Sequence, residues 1–248
     1  VANSGLYGRS RSVNAVPEAV VLIGLENLKK IVYAVSSEGL LRRELSAYDY
    51  HADEGFWMHA MAVANASRVV AEAAARSPLR SEEAFVAGLL HDVGKLVIAD
   101  FLPAGQRDVS LKTETDTVGL DHAELAGYIL KQWNLPAVIT EAVTDHHDRG
   151  QAGSSGPAGQ MGQVRSTGQA GRTDQAEPSA PPAAVLALAH DICDRWGVGR
   201  RKPVDLSEEV AYETFADRCR QLEVGQNRWD QIIWDIRQNL VGLEHVFD

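Results

Sequence analysis

Cysteine is scarce in this chain. Only Cys193 and Cys219 occur in 248 residues, and they form no Cys-x-x-Cys pair. Two thiols cannot build a disulfide framework, so the composition fits a reducing cytoplasm. Cys193 lies in an apolar helical run and reads as a small buried hydrophobe. Long hydrophobic runs are missing too. None approaches the roughly 20 residues that span a bilayer, which excludes a membrane-spanning helix. The opening residues, Val1-Ala2-Asn3-Ser4-Gly5, show no basic stretch followed by an apolar one, so they do not read as a secretory leader. They also lack an initiator Met, and the expectation is a chain that begins inside a longer protein.

Positive charge is in deficit. Lys and Arg number 24 against 34 Asp and Glu, for a net charge of −10. An acidic chain is a poor holder of a nucleic-acid backbone across a broad surface. A small anionic ligand remains compatible, because a local metal cluster outweighs the overall field. The short basic run Gly199-Arg200-Arg201-Lys202 reads as a solvated loop.

Period-two alternation is also missing, and apolar residues recur mostly at helical spacing. The predicted fold class is all-α. Helices are expected over residues 17–23, 25–35 and 54–76, the last stopped by Ser77-Pro78. Ser81, with Glu82 and Glu83 in the first turn, opens the next, which runs into His91-Asp92. Further helices are expected over 121–132, 136–147, 182–196, 207–222 and 228–243. Trp57 and Trp133 read as core residues at helix ends. In the last helix Trp229, Ile232, Ile233, Ile236 and Leu240 form an apolar stripe, for the domain itself or a second subunit. Residues 148–182 are mostly Gly, Gln, Ser, Ala and Pro. Such a stretch buries too little surface to offset its ordering entropy and reads as a disordered insertion.

What the chain does have is histidine. Six of its eight lie at or beside helices: His59, His91, His122, His146, His147 and His190. Two are followed by aspartate, giving His91-Asp92 and His190-Asp191. Imidazole with carboxylate suits Fe, Mn, Ni or Zn. A lone helical histidine is more often a satisfied core or surface residue, and His51 and His245 read that way. Six beside apolar faces are harder to reconcile with it, since each buried ring without a partner costs on the order of 1–3 kcal/mol. Adjacent residues lie about 100° apart on a helix. His91 and Asp92 therefore converge on one ion only at a helix end or kink, for which Gly94 offers a break.

The segment Ala84-Phe85-Val86-Ala87-Gly88-Leu89-Leu90-His91-Asp92-Val93-Gly94-Lys95-Leu96 resembles the signature of HD-superfamily proteins. With Ala2-Asn3-Ser4, Trp57-Met58-His59-Ala60, Asp121-His122-Ala123-Glu124, Trp133-Asn134-Leu135-Pro136 and Ala142 to His147 in order, the chain resembles the HDOD family, the HD-related output domain. The likeness covers about residues 1–200, leaving 201–248 as a C-terminal helical extension. It implies an HD-type helical bundle, here without the family's N-terminal helices. It also implies a cytoplasmic signalling output domain, with signalling proteins or an upstream domain as partners. HD enzymes are metal-dependent phosphohydrolases and phosphodiesterases. By resemblance the metal ligands are His59, His91, Asp92, His122, His146, His147 and Asp191, holding one or two divalent ions. Asp92 would bridge and accept a proton, and Lys95 would face a phosphate ester. HDOD members often lack part of the HD ligand set and then act as signalling modules; this chain keeps it. The Gly-Tyr-Pro motif of cyclic-di-GMP phosphodiesterases does not follow His147, which is succeeded by Asp148-Arg149-Gly150. The leading expectation is thus a signalling domain with a metal site, with a phosphohydrolase as the alternative.

Overall fold

The computed structural model describes residues 41, 45–51, 55–147, 180–200 and 216–244. The expected helices over 17–23 and 25–35, nearly all of the low-complexity insertion, the first part of the helix expected over 207–222, and His245 lie outside these residues. Among the described residues the protein is helical, with a lone antiparallel bridge between Tyr50 and Arg200.

Helix α1 (Gly55–Ala73) is the central element. Ala60, Ala62, Ala64 and Ala66 are fully buried and let neighbours approach closely. Helix α2 (Ser81–Leu90) comes nearest at Gly88, where an added Cβ would lie 2.6 Å from the Ala64 Cα. Ser81 opens α2 as expected, and the N-cap residue Arg80 donates its backbone N–H to the Glu83 carboxylate at 2.9 Å.

The chain breaks after Leu90. His91 and Asp92 form the turn into a short helix α3 (Val93–Ile98). Gly94 is not the break: it lies within α3, where a Cβ would meet the His122 carbonyl oxygen at 2.1 Å. Its missing side chain brings α3 against the helix that His122 begins.

Helix α4 (Leu111–Val118), which the sequence pattern does not signal, is polar and buries only Glu114. Helix α5 (His122–Gln132) begins at Asp121, whose side chain accepts from the N–H groups of Ala123 and Glu124, while Glu124 accepts from the Asp121 N–H. This reciprocal cap fixes where His122 starts the helix. At the other end Asn134 takes a left-handed φ of 56°, and Leu135 N–H reaches back to the Leu130 carbonyl at 3.1 Å. Pro136 then opens helix α6 (Ala137–Thr144), which stops short of His146 and His147. Trp133, expected in the core, caps α5 and is half exposed. Trp57 is buried as expected.

Helix α7 (Pro182–Trp196) packs against α1, α2 and α6, with Cys193 fully buried. Helix α8 (Gln226–Glu244) lays Ile232 and Ile236 into the core and contacts α1, so its apolar stripe serves the domain itself. No described helix is long and apolar enough to cross a membrane.

Candidate metal centre

Five segments deliver side chains to one interior point. His59 comes from the middle of α1, His91 and Asp92 from the α2–α3 turn, and His122 from the first position of α5. His146 and His147 come from the turn after α6, and His190 from α7. The imidazoles pack ring to ring, with centroid separations of 5.4 Å for His59–His91, 5.1 Å for His91–His190, 5.2 Å for His91–His146 and 4.0 Å for His146–His147.

Ring orientation is set from outside. The Nδ1 of His91 lies 2.7 Å from the Gly88 carbonyl, that of His146 2.6 Å from the Val143 carbonyl, and that of His59 3.1 Å from the Val198 carbonyl. A carbonyl only accepts, so each Nδ1 carries the proton and each Nε2 presents its lone pair. His122 follows the same logic with a carboxylate: its Nδ1 lies 2.8 Å from Glu114 Oε2. Tyr48 donates to the same carboxylate at 2.8 Å.

The inward atoms form two tetrads: His59, His91, Asp92 and His190, and Asp92, His122, His146 and His147. Within each, one ligand atom per residue lies within 4.8 Å of the others. Asp92 belongs to both. Its Oδ2 accepts from Tyr50 at 2.6 Å and Lys95 at 2.7 Å, while Oδ1 sits 3.1 Å from His122 Nε2. Across the second tetrad, His122 Nε2 and His147 Nε2 are 2.9 Å apart.

The Nε2 atoms of His59, His91, His146 and His190, and Asp92 Oδ1, are buried without a hydrogen-bond partner. Buried polar atoms are rarely left so. Five of them converging on one space form a donor set that fits a divalent cation.

The charge states agree. Burial holds His59, His146, His147 and His190 well below the ordinary histidine value, leaving neutral ligands. Burial opposes ionisation of Asp92, but His91, Lys95 and His122 outweigh it and hold the carboxyl well below the usual range. For His122, burial and Lys95 are outweighed by the neighbouring carboxylates of Asp92 and Glu114, which raise its pKa.

Six of the seven expected ligands thus meet. Asp191 does not. It projects to Arg218, which also donates to the Ala187 carbonyl, and neither tetrad includes it. His190, one residue earlier, takes the inward position. Lys95 is buried and paired with Asp92 and the Tyr50 hydroxyl. Arg200, expected in a solvated loop, is partly buried in a two-pronged ion pair with Asp194, with N–O distances of 2.5 and 3.1 Å. His51 is exposed.

The HDOD domain family matches residues 1–149, more than half of the chain. The chain belongs to the HDOD family. The match takes in every cluster residue except His190. A curated relative, an uncharacterized protein of Treponema pallidum (strain Nichols), is 25% identical over 160 residues. That alignment covers 60% of this chain and 30% of the relative, so the chain spans under a third of its length. Two solved structures share the fold. An HDOD domain protein of unknown function from Geobacter sulfurreducens aligns at TM-score 0.58 and 21% identity, covering 96% of this HDOD chain and 78% of that one. A protein named only as a candidate phosphohydrolase, from Shewanella amazonensis SB2B, aligns at TM-score 0.59 and 19% identity, covering 92% and 78%.

Proposed function

We propose that this HDOD protein is a cytoplasmic signal-transduction output module whose buried histidine–aspartate cluster holds one or two divalent ions. The observation that carries the metal reading is the convergence of five buried, unpartnered donor atoms. His59, His91, Asp92 and His190 would hold one ion, and Asp92, His122, His146 and His147 a second. A nitrogen-rich set with one shared carboxylate suits Fe, Ni or Zn, with Mn also within range. The role as an output module rests on family membership, and burial of nearly the whole ligand set favours a structural or regulatory ion. The partners are signalling proteins or an upstream domain. Both cysteines are free thiols, in keeping with a reducing compartment.

One observation favours a second reading, a metal-dependent phosphohydrolase. Asp92 belongs to both tetrads, as a bridging carboxylate does in two-metal sites. Ions so placed lower the pKa of bound water and polarise a phosphoryl oxygen. Tyr50 and Lys95 fix Asp92 by its Oδ2, leaving Oδ1 to face the second tetrad. Lys95 would then meet the phosphate and Asp92 would take a proton.

The test is elemental analysis of protein purified without chelator, followed by a phosphate-ester screen against an Asp92→Ala control. About two ions per chain without turnover supports the output module. Turnover that Asp92→Ala abolishes supports the hydrolase. Absence of metal in a folded protein would overturn both forms of the metal reading.

A further inference from the structure

We infer that Asp194 is an additional ligand of the ion held by His59, His91, Asp92 and His190, and that Arg200 presents it; this rests on the metal reading above. Asp194 lies one turn beyond His190 on α7, so both project from one face. Its residue is buried. Its Oδ1 lies 3.9 Å from His59 Nε2, and its Oδ2 lies 3.7 Å from His190 Nε2. The carboxylate therefore straddles two of the atoms that face the cluster interior.

The side of the ring decides the assignment. A carboxylate that merely orients a ligating histidine sits on the nitrogen away from the metal, as Glu114 does on His122. On His59 that outer place is already filled by the Val198 carbonyl at Nδ1. Asp194 approaches from the Nε2 side, where the metal would lie. The neighbouring Asp191 cannot serve, because it faces Arg218.

Arg200 keeps the carboxylate in place. Its guanidinium grips both Asp194 oxygens and lies over the Tyr50 ring, 5.2 Å from the centroid. The backbone is pinned beside it, since His51 N–H donates to the Gly199 carbonyl at 2.9 Å. Gly199, at φ 74°, has no room for a side chain: a Cβ would lie 2.1 Å from the Gly55 carbonyl oxygen. The segment after α7 thus closes on α1 and carries Arg200 to the carboxylate. A further anionic donor offsets the cation's charge better than Asp92 alone and favours an ion of coordination number above four.

The experiment titrates cobalt(II) into the full chain and into Asp194→Asn, following affinity and visible absorption. Asp194→Asn should weaken one binding step by roughly tenfold or more and raise the intensity of its cobalt bands, as a donor is lost. Weaker binding with an unchanged spectrum would place Asp194 outside the coordination sphere and overturn the assignment, as would an unchanged titration. Should Asp194→Asn fail to fold, the pair Asp194→Asn with Arg200→Gln, which buries no unmatched charge, is compared with Arg200→Gln alone, and equal affinity and spectra there overturn it. If wild-type protein binds no cobalt, the metal reading itself fails; if it binds and Asp194→Asn matches it, only this inference does.

Discussion

Glu114 grips His122 at two points, accepting its backbone N–H at 2.8 Å and lying 2.8 Å from its Nδ1. Among the described residues of the cluster, His122 is the histidine oriented by a carboxylate, and Tyr48 braces that carboxylate from the other side. Such outer partners commonly contribute 10–100-fold to metal affinity. Glu114→Gln should therefore weaken the second binding step by about that range and leave the first nearly unchanged. Isothermal titration with zinc resolves the two steps. Equal loss in both would show that Glu114 supports the fold rather than one ligand.

The shared position of Asp92 makes metal content a geometric test. Asp92→Ala removes a ligand from both tetrads and should leave almost no bound metal, whereas His147→Ala and His190→Ala should each leave about one ion per chain. Elemental analysis reads the count directly. Retention of both ions by Asp92→Ala would mean the tetrads do not share it.

Gly94 couples packing to the site. A Cβ there would overlap the His122 carbonyl, which is backbone and cannot rotate away. Gly94→Ala should force α3 from α5, cost about 1–3 kcal/mol of stability and weaken the step that needs His122. Chemical denaturation gives the first quantity and metal titration the second. A stable variant with intact binding would show that the helices separate without disturbing the ligands.

These devices differ in how far the sequence discloses them. The all-α class, the ends of α7 and the candidate ligands from His59 to His147 follow from apolar spacing, from Gly and Pro signals and from the family resemblance. The choice between His190 and Asp191 does not. Val185 through His190 are all buried, so α7 offers no apolar-versus-polar face by which to orient the pair. Glu114 is equally silent: it sits in Leu-Lys-Thr-Glu-Thr-Asp-Thr-Val, where only the tertiary fold tells it from its exposed neighbours. Arg200 reads as a surface cation because its partner Asp194 is supplied across the helix end.

The Asp191 assignment yields its own prediction. Arg218 and Asp191 tie α7 to the helical turn over residues 216–221, and burial raises the Asp191 pKa despite Arg218. Asp191→Asn should leave metal content unchanged and lower the melting temperature by a few degrees, as expected for loss of about 1 kcal/mol. Loss of an ion from this variant would restore Asp191 to the ligand set.

Acid stability follows from the neutral histidines. His59, His146, His147 and His190 titrate well below 6.5 in the fold, chiefly through burial. Once the pH falls below about 6.5, the unfolded chain takes up protons at these positions and the folded chain does not. The stability they contribute is complete above that pH and declines below it, by about 1.4 kcal/mol per pH unit for each proton. His122, with its raised pKa, opposes them: its contribution is complete below 6.5 and is lost as pH rises through its folded value. Four groups outweigh one. The metal-free protein should melt at progressively lower temperature between about pH 7 and pH 5, steepest where the unfolded histidines titrate. Thermal melts in chelator across that interval check it, and a flat profile would mean that the cluster opens to water before the chain unfolds.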